Sequence, residues 1–324
     1  MYLYIFILLI FFSPLYFILA ILYVCLILIV ISNNRILVYW VLMECSVAFF
    51  LPFIISSNYG LERSFKYFLV QISNSFFFLI SLLLRFKGFE IFLLIFLIYK
   101  VGRAPFYQWV VYIVRRISWV NIYILMSIIK IIPIILVINF LVKNKEIYFF
   151  ILLSCLIGGL GGLGQISLRI LMVYSSINHL SWILSCILLG NIWCINYIFI
   201  YFIILYRVFF FFFIFNLDFI SQINNLDKWN IFVICNLLNL RGLPPFTIFI
   251  LKFFVLKGLI FNKIEFLVLF LLLNTLFALF YYIRLRIYTF FNRYFNFCYE
   301  NKIIQSSYFI LGLLRGLRGV YFVI

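Results

Sequence analysis

Glu44, Lys100, Lys130, His179 and Lys252 stand in or beside apolar runs of a 324-residue chain. Glu44 is central in ILVYWVLMECSVAFFLPFII, Lys130 in VNIYILMSIIKIIPIILVINF and His179 in ILMVYSSINHLSWILSCILLG. Lys100 precedes Pro105, and Lys252 follows Pro244-Pro245. A charge at the centre of a bilayer costs between ~2.5 and ~17 kcal/mol, so such residues face protein or water and pair with one another. One could be an accident of structure. A set spread over separate runs is a pattern that a passive anchor does not need. The chemistry that suits it is proton relay. An ammonium gives up its proton more readily when buried, and a nearby carboxylate opposes that loss. A buried lysine whose carboxylate partner approaches and recedes therefore loads and releases a proton near neutral pH. Moving one charge across about 180 mV costs ~4 kcal/mol, at ~2.3 kcal/mol per 100 mV. A few pK units of switching, at about 1.36 kcal/mol each, cover that. Lys130 reads as a relay station, with mobile backbone beside Pro133 helping it to change partners.

Other chemistries fit poorly. His179 is the single histidine, so a multi-histidine haem or zinc site is excluded. The seven cysteines form no CxxC pair, which argues against a disulfide framework or an iron–sulfur site. No serine has the histidine and carboxylate company of a hydrolytic triad. GGLGGLG at 158–164 matches GxGxxG through Gly159, Gly161 and Gly164, but no Asp or Glu occurs between Glu146 and Asp218. A dinucleotide site needs such an acid and a preceding strand. Small residues four apart, such as Gly158 and Gly162, instead suit close helix packing. The net charge of +17 comes as scattered singles and pairs, such as Arg115-Arg116 and Lys143/Lys145. They bracket apolar runs, as interfacial anchors do, and call for no nucleic acid.

The elements that must position these groups are membrane helices. The chain is 68% hydrophobic and 10% charged, with a mean hydropathy of +1.27. Soluble folds are nearer half apolar, and a span needs about 20 mostly apolar residues. An all-α polytopic membrane protein of about 10–11 spans follows, near 3–31, 36–55, 65–84, 89–113, 119–142, 147–164, 170–190, 193–216, 231–261, 264–283 and 307–324. Arg315 and Arg318 interrupt the last. The first run is apolar from Tyr2, without a basic leader or a small-residue cleavage site, and reads as a retained span. Loops are short, so residues 1–324 form a single integral membrane domain.

Two spans look broken: KVGRAPFYQW enters 89–113, and NLRGLPPFTIFILKFF enters 231–261. Proline removes a donor and clashes with the preceding turn. Freed backbone groups are tolerated at membrane depth only where protein or a wet cavity satisfies them. Paired breaks in two halves point to a transport site. Two ordinary proline kinks are the competing reading, against which stands a lysine within reach of each break.

Six stretches carry a resemblance: YWVLMECSVAFFLP at 39–52, ERSFKYFLVQISNS at 62–75, YKVGRAPFYQW at 99–109, IIKIIPI at 128–134, GGLGGLGQISLRILMVYSSINHLSW at 158–182 and NLRGLPPFTIFILKF at 239–253. In order and spacing the chain resembles the chain 2 family of NADH-ubiquinone oxidoreductase, an antiporter-like membrane subunit of mitochondrial respiratory complex I. The resemblance implies a core, about 30–285, of inverted five-helix repeats with two broken helices. It implies a proton-translocating subunit of an NADH:ubiquinone reductase, without redox chemistry on this chain. Glu44 and Lys100 would be the modulating pair, Lys130 and His179 the central relay, and Lys252 the residue facing the exit. Lys66 is a lesser candidate, because near a span end a solvated anchor competes. FMN, iron–sulfur clusters and ubiquinone are expected on other subunits. The partners implied are other membrane-arm subunits and lipids, cardiolipin among them. Tyr107 stands where this family often has histidine, and Arg103 adds a charge beside Lys100. A free-standing sodium/proton antiporter of related fold is the alternative function, and a purely structural anchor a third. The 45 Phe and 23 Tyr against four Ala point to an A/T-rich genome of organellar kind. That favours a multi-pass protein of the mitochondrial inner membrane, encoded in the organelle.

Overall fold

The computed structural model describes residues 14–33, 35–57, 60–84, 89–140, 146–223, 230–244 and 246–300. The start of the first expected span, Lys143/Lys145, Pro245 and the 307–324 run lie outside them.

In lipid each backbone donor and acceptor needs a partner within the protein, and a helix supplies them all. The apolar runs accordingly fold as α1 (Pro14–Ser32), α2 (Ile36–Ile55), α3 (Gly60–Leu84), α4 (Phe89–Val101), α5 (Gln108–Val114), α6 (Trp119–Met126), α7 (Ile128–Phe140), α8 (Ile147–Leu160), α9 (Leu168–Leu189), α10 (Asn191–Ile214), α11 (Asn230–Arg241), α12 (Thr247–Phe261) and α13 (Glu265–Glu300). Among the described residues no strand forms beyond one isolated antiparallel bridge, Ser167 to Phe219. Six helical stretches there are long and apolar enough to cross a membrane, and Ile21–Ser32, Ile91–Val101 and Ile147–Leu160 are shorter apolar helices. The protein is an all-α polytopic membrane protein.

Both expected breaks are present, with one local design. α4 stops before Gly102 and α11 before Gly242, and these glycines take φ of +70° and +69°. Such a conformation costs a side-chain-bearing residue about 1–2 kcal/mol. Each glycine is followed by proline and then phenylalanine, in GRAPF and GLPPF. A third interruption differs from expectation. Pro133 lies inside continuous α7, whereas the span breaks at Ser127, where φ is −114° and ψ −75°. The Ser127 hydroxyl donates back to the Tyr123 carbonyl at 2.6 Å, a local bond that competes with the helix ladder. Lys130 therefore stands in the first turn of a new helix rather than beside a proline kink.

The core centres on α9. Within 18-residue windows of the long spans, 89% of the residues are buried in Leu168–Leu189, against 67% in Trp119–Asn139 and 28–44% in the others. α8 lies close against α9: a Cβ on Gly158 would sit 2.8 Å from the Asn178 backbone nitrogen. A polar side links neighbouring ends, where Arg169 pairs with Asp218 at 2.7 Å beside the Ser167–Phe219 bridge. The outward faces are apolar, with Leu28, Phe76, Phe199, Phe266 and Leu276 exposed, as lipid-facing surfaces are.

Candidate functional site

Glu44 lies in the middle of α2 and Lys100 in the last turn of α4. The Lys100 ammonium donates to Glu44 Oε1 at 3.0 Å, with the lysine side chain 5% exposed and the carboxylate 26%. The packing of α2 on α3, and of α3 on α4, brings together residues 56 positions apart. A cation in the last turn also faces the negative end of its helix, which favours the charge.

Lys130 has the opposite setting. It is 4% exposed and stands in the first turn of α7, where the positive helix end repels a cation. Its ammonium donates to Ser176 Oγ of α9 at 3.3 Å, and among the described residues no carboxylate lies within ion-pair distance of it. The Ser176 hydroxyl in turn donates a hydrogen bond to the Val173 carbonyl at 2.8 Å. His179, 4% exposed and one turn further along α9, shares a hydrogen bond of 3.0 Å with the Tyr197 hydroxyl and packs on the Tyr201 ring at 4.5 Å.

Lys252 of α12 is 5% exposed. It donates to the Arg241 carbonyl at 2.7 Å, one of the acceptors freed where α11 breaks, and lies 5.2 Å above the Trp182 ring. The freed carbonyl and the nearby cation thus satisfy one another, as membrane-depth irregular backbone requires. Lys66 stands apart. It is 47% exposed and pairs with Glu62 at 2.6 Å and the Tyr112 hydroxyl at 2.6 Å, the setting of a solvated anchor.

The structure adds Arg241 and Asn274, which sequence reasoning did not single out, and gives the settings of Arg103 and Tyr107. Arg241 is buried and stacks over Tyr281 and Tyr282 at 3.9 and 4.0 Å. Asn274 of α13 donates to Asn178 Oδ1 of α9 at 2.6 Å, in the buried interior. The signal for Asn274 was available: it is the sole amide in EFLVLFLLLNTLFALFYY. Arg103 is 1% exposed, and its Nη2 donates to Ser154 Oγ. Tyr107, the expected departure, sits against the Tyr174 ring at 5.7 Å. Among the described residues no group of three or more His, Cys, Asp or Glu could hold a metal ion.

The arrangement is a set of buried bases on α4, α7, α9 and α12, each beside a helix break or on the most buried helix, with one carboxylate at one end. Such groups can accept and release protons.

Comparison with known proteins agrees with this architecture. Residues 15–278 match the family model for the transmembrane part of NADH:quinone oxidoreductase and Mrp antiporters. NADH-ubiquinone oxidoreductase chain 2 of Anopheles gambiae is 35% identical over 279 residues, covering 80% of this chain and 81% of the relative. The Artemia franciscana protein of that name is 34% identical over 260 residues, covering 78% and 82%. A chain of respiratory complex I from Thermus thermophilus superimposes with a TM-score of 0.70 at 20% identity, covering 80% of this chain and 66% of that one. A chain of the Mrp complex from Dietzia sp. gives 0.70 at 15% identity, covering 82% and 59%. The present chain thus spans less than two thirds of those two structural neighbours, and at such identities the likeness concerns fold. Matched over most of its length by family model and relatives alike, the chain belongs to the NADH:quinone oxidoreductase/Mrp antiporter transmembrane family and, within it, to the chain 2 proteins of NADH-ubiquinone oxidoreductase.

Proposed function

We propose that this chain relays protons across a membrane as a core subunit of a proton-translocating NADH:ubiquinone oxidoreductase, driven by quinone reduction elsewhere in the assembly. The observation that carries the reading is the contrast between two buried lysines. Lys100 has a carboxylate at 3.0 Å and a helix C-terminus, both of which offset a positive charge. Lys130 has a hydroxyl at 3.3 Å and a helix N-terminus, neither of which balances one. Displacing the Glu44 carboxylate from Lys100 reverses the preference for charge and sends a proton along the buried groups. Lys130, Ser176 and His179 form the middle of the path, and Lys252, held at the α11–α12 break, the far end. Lys66 lies off this path. Flavin, iron–sulfur clusters and ubiquinone belong on partner subunits, and the apolar faces meet those subunits and lipid, in the mitochondrial inner membrane.

The test is proton-to-electron stoichiometry in assembled complexes carrying Lys130→Met or Glu44→Gln. Each is expected to lower the ratio; native coupling in both would remove the relay. The equal likeness to an Mrp complex chain favours one second reading, a sodium/proton antiporter working apart from any NADH-oxidising assembly.

A further inference from the structure

Arg103 is the most enclosed cation among the described residues, 1% exposed, and it stands in the α4–α5 break. Its guanidinium donates through Nη2 to Ser154 of α8, while Nε and Nη1 have no partner among the described residues. A void of about one water molecule's size lies beside it, lined by Leu97, Ile134, Val137, Leu180 and Ile183 among others. Ile134 and Val137 follow Lys130 by four and seven residues, and Leu180 and Ile183 follow Ser176 by the same steps. Helical residues so spaced share a face. The lysine face of α7 and the serine face of α9 therefore converge on the guanidinium. On its other side the segment is continuous with Lys100.

Resting on the relay reading above, we infer that Arg103 is a positioning residue of the path: a permanent cation between the Glu44–Lys100 pair and Lys130 that opposes passive proton flow between them. A guanidinium does not deprotonate in proteins, so Arg103 cannot itself pass a proton on. It repels an excess proton, as fixed positive charge does in selective pores. Among the described residues no carboxylate lies within ion-pair distance to screen it. A proton crosses this point only against that unscreened charge, which suppresses passive leak between the two lysines.

The experiment uses the whole assembly in sealed vesicles, comparing NADH oxidation with and without a proton ionophore. In Arg103→Met the ratio of the two rates is expected to fall at least about twofold, and Arg103→Lys should restore it. Arg103→Gln, which keeps a donor for Ser154 without the charge, should behave as the methionine variant does. A native ratio in assembled Arg103→Met or Arg103→Gln overturns the inference. Failure of both to assemble, with rescue by lysine, also counts against it, because the charge would then serve the fold. Lys130→Met in the same vesicles separates the two proposals. If it lowers the proton-to-electron ratio while Arg103→Met stays native, only this inference fails; if it and Glu44→Gln both leave that ratio native, the relay fails.

Discussion

At the scale of single residues, the pair of Glu44 and Lys100 is one interaction whose halves are costly alone. Removing one partner of a buried ion pair leaves an uncompensated charge worth ~3–5 kcal/mol, whereas replacing both with apolar groups is often neutral. The 26% exposure of Glu44 puts this pair toward the lower end. Glu44→Gln is therefore expected to reduce the amount of assembled complex on native gels, and the double variant with Lys100→Met to recover part of it. Additive losses would show that the two side chains do not act as a pair. Lys66 gives a contrasting expectation. Its partners are Glu62 and Tyr112 at an exposed surface, so Lys66→Met should keep the native proton-to-electron ratio under conditions where Lys130→Met lowers it.

Among the elements, the breaks decide where charge can sit. The breaks at Gly102 and Gly242 share a left-handed glycine followed by proline and phenylalanine, but their surroundings differ. A Cβ on Gly102 would overlap the Val110 side chain and crowd Trp109, while one on Gly242 would come no nearer than 3.1 Å to Ile248 and Phe249. Gly102→Ala is thus expected to lower thermal stability by the ~1–2 kcal/mol of the conformation plus a steric penalty, and Gly242→Ala by little more than the first. Melting of the assembled complex carrying each variant checks the order; equal losses would place the cost in the backbone alone. Ser127 works differently. Its hydroxyl bond to Tyr123 replaces part of a ladder, and Ser127→Ala is expected to let α6 and α7 join more closely, altering the Lys130 setting and slowing translocation.

For the whole molecule, the outward faces are apolar and the buried bases outnumber nearby acids. Solubilised in mild detergent, the chain is expected to migrate with a large NADH-oxidising assembly. A small particle without that activity would favour the free antiporter. α13 bears on this as well, because its 36 residues exceed the ~20 that a span requires.

The residue pattern alone determined the class of this protein and most of its candidate site. Apolar runs of span length leave the chain no other stable solution in lipid, and a charge inside such a run advertises itself by its cost. The two Gly–Pro breaks were legible for the same local reason. What only the tertiary structure decided is pairing and setting. Nothing near Lys100 in the chain names Glu44 as the partner in space, because helix packing joins them across 56 positions. The Ser127 break escaped notice because serine is an ordinary helix residue until its hydroxyl turns back on the backbone. Arg103 was legible as a charge beside Lys100 but not as a buried one, and Arg241 and Asn274 were not singled out, since exposure belongs to the packed helices and not to residue type. Periodicity and composition act within one helix, whereas the energy of a buried charge depends on what neighbouring helices bring to it.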